Sequence, residues 1–443
     1  MGTITVAEAT ATYQLTNEDG TSYTPSYYGS GSKVVRSNAA LNKFKEVKVD
    51  NTTVDSSNYT LTEGSTIVTF KESYLKTLNE GEHTLKIISN DGFAFGKINV
   101  KKVISMAQKI TSLYNNATKT KITFDYYDTN IDDEVIVNYN QAQSINLMND
   151  GLGGTTSDLN GGNIRYYGAN PDNYIYFNCS DYNNQSSSTC ETWRIIGVFD
   201  GNVKIMRGSQ IGKYSWDSSA SGTNSGSGVN EWSQADLMKL LNSGYDSESI
   251  GGSLYWNAQS GMCYNNKNNA TTSCNFTSTG LKNADTRNMI AETTYYTRGH
   301  DFSSIYVDAM YDKERVSGTV MTGVTPTRTL TWTGKVAVAY PSDYGYAADL
   351  SQCKQTLFNY DNSTCTANNW MKSIITNNGS NDGWLLTPAS GDARGAWYVY
   401  SSGDVSYNDT SNSYGVAPVL SLTSELDIRS GTGTSSDPYQ LNV

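Results

Sequence analysis

Residues 165–199 read RYYGANPDNYIYFNCSDYNNQSSSTCETWRIIGVF, and this stretch decides how the larger part of the chain folds. NYIYFN is rich in β-formers and predicts a strand. Trp193–Phe199 and Val203–Arg207 predict the two strands of a hairpin, because the turn-forming residues Asp200-Gly201-Asn202 separate them. A polar loop between two cysteines joins NYIYFN to this hairpin. The stretch therefore predicts neighbouring strands around a cross-linked loop.

The six cysteines of the chain form three local pairs, each of which brackets a polar, turn-rich segment: Cys179 with Cys190, Cys263 with Cys274, and Cys353 with Cys365. A metal site would need closely spaced cysteines with histidine partners, and the chain has only two histidines. We expect three structural disulfides that pair in order along the chain. Disulfides place the protein outside the reducing cytoplasm.

The composition predicts a β-rich protein with long ordered loops. Apolar residues make up 37% of the 443 residues, but 32 Tyr and 8 Trp supply large buried areas. The net charge of −11 argues against nucleic acid as a partner. No apolar run approaches the ~20 residues of a membrane span. The N-terminus MGTITVAEAT is not a signal peptide, so we expect a signal or anchor to lie outside this sequence.

Residues 1–102 predict an all-β sandwich. Period-two alternation predicts the strands Ser32–Arg36, Glu46–Val49, Asn58–Thr62, Thr66–Phe70, His83–Ile88 and Ala94–Val100. The segment VDSSNYTLTEGSTIVTFKESYLKTLNEGEHTLKII is similar to the immunoglobulin-like accessory modules beside bacterial cellulases and in Gram-positive surface proteins. The resemblance implies a stalk or spacer, in which we expect His83 to be structural.

Residues 103–443 predict an α+β head domain. Val103–Asn116 has the apolar spacing of an amphipathic helix. Glu231–Asn242 predicts a second helix, with Ser233 as its N-cap and Asp236 at the third position of a capping box. Short helices, few strands and long cross-linked loops together indicate an α+β class.

Six segments of the head domain carry a second resemblance. In chain order they are RYYGANPDNYIYFNCSDYNNQSSSTCETWRIIGVF, GKVAVAYPSDYGYA, GWLLTPAS, AWYVYSSGDVS, SYGVAPVLSL and GTGTSSDPYQL. This series resembles a domain of unknown function common in bacterial surface and prepilin-like proteins. That family looks like the C-type-lectin-like fold shared with formylglycine-generating enzymes and the variable proteins of diversity-generating retroelements. The resemblance implies a C-type-lectin-like head over residues 103–443, preceded by the immunoglobulin-like sandwich of residues 1–102.

The sequence favours a binding protein over an enzyme. A Ser/His/Asp triad would have to use His83 or His300, and no G-x-S-x-G elbow is present. Oxidase chemistry of the formylglycine-generating type needs cysteines late in the domain, and none follows Cys365. Paired carboxylates need no sequence signature, so an enzyme that acts on polysaccharide stays open as an alternative.

The densest run of residue types used in recognition is 392–414. The candidate ligand-binding residues are Arg394, Trp397, Tyr398, Tyr400, Tyr407, Asn408 and Tyr414. Strand alternation predicts that either Trp397 with Val399, or Tyr398 with Tyr400, faces the core. The calcium triplets of lectins are absent, and Asp392, Asp404 and Asp409 are the candidate ligands if calcium binds; we expect no other cofactor.

We therefore expect an adhesin-like protein of the bacterial cell surface. Its partner would be a host or environmental glycan or protein, bound by aromatic, Asn-rich loops of the head domain. The first alternative is a structural role as a minor pilin or pilus-tip subunit. Covalent Lys–Asn cross-links in the front module are a further open point.

Overall fold

The structure is a computed structural model that describes residues 11–27, 29, 31–101, 104–128, 132–152, 162–218, 228–265, 271–301 and 304–443. The chain divides into two compact units, residues 1–104 and residues 105–443. Strands provide most of the regular structure, beside eight short α-helices among the described residues, so the predicted β-rich character is confirmed. In the same residues, no helix is long and apolar enough to cross a membrane.

The front unit contains two sheets around one core. Strand order in the first sheet is Ala11–Tyr13, Gly92–Val100, Gly81–Ser89, Phe44–Val49 and Thr52–Thr53, and Ser26–Tyr27 also pairs with Gly92–Val100. The second sheet has the order Leu15–Thr16, Lys33–Ser37, Thr66–Phe70 and Tyr59–Thr62. One short α-helix, Glu72–Leu75, and two 3₁₀ turns, Leu41–Lys43 and Ser56–Asn58, complete the unit. Both sheets contribute to the core, with Val35 and Phe70 from one and Leu85 and Ile87 from the other.

His83 has the structural role expected of it. Its Nδ1 lies 2.6 Å from the carboxylate of Asp50, and its Nε2 lies 2.7 Å from the backbone oxygen of Asn79. Asp50 also accepts a hydrogen bond from the backbone N–H of Thr84 at 2.8 Å. The imidazole therefore ties the start of strand Gly81–Ser89 to the turn that follows Val49.

The second unit is built on a nine-stranded sheet. Its order is Thr120–Asp128, Asp133–Ala142, Leu147–Asn149, Ile164–Tyr166, Glu191–Phe199, Asn202–Arg207, Val419–Ser421 and Val336–Ala337, and Tyr174–Phe177 also pairs with Glu191–Phe199. The predicted hairpin is present, and Asp200 and Gly201 form its turn with positive φ values of 49° and 78°. Such left-handed pairs suit the two-residue turns of twisted hairpins.

A five-stranded sheet lies later in the same unit. Its order is Lys213–Ser215, Ser413–Gly415, Gly383–Pro388, Gly395–Val399 and Val405–Asp409. Three two-stranded ribbons join Ser260–Tyr264 to Thr271–Asn275, Thr293–Tyr296 to Thr331–Gly334, and Asp427–Ser430 to Gln440–Asn442.

Helices pack on both faces of the nine-stranded sheet. Met106–Asn116 and Asp236–Leu241 share one core with Ile195 and Ile205 of the central strands. Val307–Asp312, Pro341–Tyr346 and Trp370–Ile375 share another core with Ile196 and Met206, which lie on the opposite face. Ala284–Asn288 and Ser363–Ala367 are the remaining α-helices of the described residues. Alternation along Asn202–Arg207 places Lys204 on the same face as Met206.

The helix predicted over Glu231–Asn242 forms only in part. Trp232–Gln234 is a 3₁₀ turn, and the α-helix Asp236–Leu241 begins after Ala235. Glu231 takes the capping role predicted for Ser233, because its side chain accepts from the Ser233 N–H. The capping-box prediction was therefore wrong: the Asp236 N–H that Ser233 would have capped donates to the Asp217 carboxylate at 3.2 Å instead.

The three predicted disulfides are present with the predicted pairing: Cys179–Cys190, Cys263–Cys274 and Cys353–Cys365. Each links residues 11 or 12 positions apart, so all three are local staples of the second unit. A loop of this size is stabilised by about 3 kcal/mol in the chain-entropy treatment.

Candidate functional site

The candidate ligand residues of 392–414 are divided between the two faces of one hairpin. Trp397 pairs with Tyr407, and Ala396 pairs with Asn408, between strands Gly395–Val399 and Val405–Asp409. Residues directly opposite each other share a face, so Trp397 and Tyr407 lie on one face and Asn408 on the other. The structure therefore does not bring the candidate residues together on one surface.

Both sides of strand Gly395–Val399 are buried, which corrects the expectation that only one side faces a core. Trp397 and Tyr398 are both 0% exposed. The Trp397 indole donates to the backbone oxygen of His300 at 3.0 Å, while Tyr398 belongs to the opposite core. Alternation could not reveal this, because a strand covered on both faces uses large side chains at every position.

Aromatic rings cluster around the buried Tyr398. Its ring centre lies 4.6 Å from that of Tyr400 and 4.7 Å from that of Tyr414. Asn408 donates to the Tyr414 hydroxyl at 3.0 Å, and Tyr400 is 38% exposed. We call Tyr398, Tyr400, Asn408 and Tyr414 the late-strand patch.

A buried asparagine holds the loop that contains Asp392 and Arg394. The Asn230 amide donates to the backbone oxygens of Ala389, Asp392 and Gly395 at 2.7–2.9 Å. The loop therefore presents the half-exposed pair Asp392 and Arg394, whose Oδ1 and Nε lie 3.5 Å apart, on a fixed backbone.

The three candidate calcium ligands are not collected at one place. Asp409 ends its strand opposite Gly395, whereas Asp404 precedes Val405 at the other end of the hairpin. Four residues of strand span about 13 Å, far beyond the ~2.3–2.6 Å of calcium–oxygen bonds. Among the described residues, no group of three or more His, Cys, Asp or Glu is placed to hold a metal ion.

The second unit contains a cavity of about 430 Å³, which we call the tyrosine pocket. Its aromatic lining consists of Phe199, Tyr295, Tyr296, Tyr311 and Tyr340. Its polar lining consists of Asn163, Asn202, Thr293, Thr294 and Ser421, and its charged lining of Asp200, Lys204, Glu292 and Arg315. A concave site with aromatic walls and a few convergent polar groups is the usual form of a small-molecule site.

Tyr340 fixes one wall of the tyrosine pocket. Its hydroxyl accepts from the Tyr296 N–H at 2.7 Å and donates to the Tyr296 carbonyl at 3.0 Å. The ribbon strand Thr293–Tyr296 is thereby attached to the start of helix Pro341–Tyr346. The wall therefore has its shape before any ligand arrives.

Two charged side chains that line the tyrosine pocket, Lys204 and Arg315, belong to a buried network of charges. Asp343 accepts from Lys204 at 2.5 Å and from Arg165 at 3.1 Å, and Arg165 also donates to Asp150 at 2.7 Å. Glu314 pairs with Arg315 and accepts from the Ser342 N–H at 2.9 Å. We call the six charged residues Asp150, Arg165, Lys204, Glu314, Arg315 and Asp343 the floor network. All six are buried.

The floor network shifts the ionisation of its own members. Burial opposes the ionisation of Asp343, but the charges of Lys204, Arg165 and Arg315 lower its pKa to about 2. Burial lowers the pKa of Lys204 against the attraction of Asp343. Burial also raises the pKa of Glu314, although Arg315 acts in the opposite direction. Shifted ionisable groups in a cleft are one physical indication of a functional site.

The sequence analysis missed the tyrosine pocket, although one signal was available. Arg165 lies within NIRYYG and Lys204 within VKIMR, both at buried strand positions. A charged residue inside a buried strand requires a partner, so Arg165 and Lys204 each indicate that an acidic residue from elsewhere in the chain lies beside them. That acid is Asp343, which lies 178 and 139 residues further along the chain.

No protein-family model matches this chain, and no curated protein sequence matches it.

Proposed function

We propose that this protein is an extracellular, adhesin-like binding protein that accommodates a glycan unit in the tyrosine pocket. The observation that carries the proposal is the cavity of about 430 Å³, in which five aromatic rings surround amide and hydroxyl groups. A sugar ring has an apolar face of C–H groups and an edge of hydroxyls, so it needs both kinds of wall. Tyrosine offers an apolar ring with a polar end.

Three disulfides support an extracellular location for this function. The further proposal is that the second unit has a C-type-lectin-like fold and that the front unit is an immunoglobulin-like stalk. The two sheets around one core, and the parallel pairing of Ala11–Tyr13 with Gly92–Val100, support the stalk assignment. Attachment to a bacterial surface rests on the family resemblance alone.

A glycan array followed by calorimetry tests the proposal. Tyr296→Ala removes one wall of the tyrosine pocket, while its backbone bonds to Tyr340 can persist. We expect this variant to lose at least tenfold in affinity for an array hit, which corresponds to about 1.4 kcal/mol. The matched control is Tyr400→Ala, which removes the most exposed ring of the late-strand patch and should leave affinity unchanged. If Tyr400→Ala lost affinity and Tyr296→Ala did not, the binding site would be the late-strand patch. An array without hits would refute the proposal.

A structural subunit of a surface fibre is the second candidate function. Strand Thr120–Asp128 is an edge of the nine-stranded sheet, and among the described residues it pairs only with Asp133–Ala142. Such an edge can accept an added strand from another chain. Sedimentation over a range of protein concentrations tests this candidate: it requires growing assemblies, and a monomer throughout would exclude it. Product analysis of the array glycans checks the remaining prediction, an enzyme that acts on polysaccharide.

A further inference from the structure

We propose that the tyrosine pocket selects acidic sugars, whose carboxylate binds to Arg315 and Lys204 at its floor. This inference rests on the proposed function, since it names the class of glycan that the pocket takes. It uses two cations that line the cavity and whose own acidic partners lie behind them.

Arg315 is held rigidly and keeps donors for a ligand. Its guanidinium stacks on two rings, at 3.9 Å from the ring centre of Tyr311 and 4.4 Å from that of Tyr340. Only Nη1 is used by the described part of the chain, for Glu314 and for Ser342. Nε and Nη2 form the second side of the planar fork, and this side matches a carboxylate in a bidentate arrangement.

Lys204 supplies a second positive charge beside the same ring. Its ammonium lies 4.8 Å from the ring centre of Tyr340, so both cations flank one aromatic wall. An ammonium has three donors, and for Lys204 the described residues accept only one of them, through Asp343. A carboxylate at the floor can therefore bind to both cations without displacing their existing acidic partners.

The arrangement of charge favours a singly charged group at the floor. Asp343 and Glu314 are completely buried, whereas the side chains of Lys204 and Arg315 keep 7% of their surface accessible. The cavity therefore meets the positive side of a network that is neutral in total, and two acids outside that network, Asp200 and Glu292, also line it. A neutral network tolerates one added negative charge better than two, which favours a carboxylate over a phosphate. Glu292 is an exposed residue of the lining, and its negative charge opposes the binding of anions.

Three matched ligands test the inference on the unmodified protein: methyl β-D-glucuronide, its uncharged amide methyl β-D-glucuronamide, and methyl β-D-glucoside. Calorimetry should give an affinity at least tenfold higher for the glucuronide than for the other two, and this difference should shrink as salt rises. Equal affinities for the three would overturn the inference and leave the proposed function intact. If none of the three ligands binds but the array gives neutral glycans as hits, the inference is likewise overturned and the proposed function stays intact. An empty array would remove the proposed function as well.

Two variants separate recognition from folding. Arg315→Lys keeps the charge opposite Glu314 and loses the fork, so we expect the ratio of glucuronide affinity to glucoside affinity to fall about tenfold. Glu292→Gln removes an exposed charge from the pocket lining and should raise the ratio of glucuronide affinity to glucoside affinity about twofold. Asp361→Asn, an exposed acid that does not line the pocket, is the control for net charge. An identical response of both ligands to Arg315→Lys would contradict the inference.

Discussion

Replacing Asp343 by Asn tests whether the floor network is held together by charge. In the native protein its carboxylate accepts from Lys204, from Arg165 and from the Tyr340 N–H at 3.2 Å. An amide of almost the same size keeps the shape of the site. It leaves two buried cations with one negative charge fewer between them. The expected result is a large loss of stability in the second unit.

The size of the loss follows from two independent arguments. Removing one partner of a buried ion pair costs about 3–5 kcal/mol. The pKa of Asp343 falls from 3.8 to about 2 on folding, which corresponds to about 2 kcal/mol of stability at neutral pH. The stabilisation that comes from this pKa shift is fully present above the pKa that Asp343 has in the unfolded chain. It is lost as pH falls through the pKa of Asp343 in the folded protein. The difference in free energy of unfolding between the native protein and the Asp343→Asn variant should therefore become smaller between pH 4 and pH 2.

Tryptophan fluorescence during urea unfolding measures this loss. All eight tryptophans lie in the second unit, so the signal does not include the front unit. The control is Asp392→Asn, which breaks a half-exposed pair with Arg394 and should cost less than about 1 kcal/mol. If Asp343→Asn cost no more than this control, the floor network would not stabilise the fold through its charges.

Three further predictions concern other parts of the chain. Asn230→Ala should destabilise the second unit by about 3 kcal/mol, because three carbonyls lose their donor; hydrogen exchange in the loop should rise, and unchanged exchange would contradict the role given to this amide. The pKa of His83 is raised by Asn79 and Asp50 despite burial, so its contribution is complete below pH 6.5 and is lost as pH rises through the folded pKa. Histidine NMR titration of the intact chain checks this, and a pKa below 6.5 would reverse the sign. Cys353→Ser with Cys365→Ser should cost about 3 kcal/mol in urea unfolding, and a cost near zero would show that the loop needs no staple.

Local features of the fold were predictable from sequence, because local chemistry determines them. Strand Thr66–Phe70 has the predicted bounds, and the hairpin around Asp200-Gly201 forms where its turn residues require it. The helix Met106–Asn116 lies within the predicted Val103–Asn116, and Ser105 and Gln108 form its capping box. Val103 itself lies outside the described residues.

The tyrosine pocket was not predictable in the same way. Lys204 and Asp343 are 139 residues apart, and the local pattern around each residue does not reveal the other. Period-two alternation also fails where a strand is covered on both faces, as the burial of Trp397 and Tyr398 demonstrates. Both failures have one cause: long-range packing decides which polar groups are enclosed, and the sequence can show that a buried cation needs a partner without showing which acid supplies it.

The disulfides join residues that are close in sequence, whereas the buried ion pairs join residues that are far apart, and this difference affects the order of events in folding. Each staple joins cysteines 11 or 12 positions apart, whereas Asp343 meets Arg165 from 178 positions away. Short loops close much faster than long ones, so the cysteines can find their partners while most of the chain is still unfolded. A molecule can therefore be fully oxidised with correct pairing and still have a hydrated, unassembled interior. Correct oxidation, measured by mass or by thiol titration, therefore does not show that the second unit is folded, and probes of its buried charges are needed to show it.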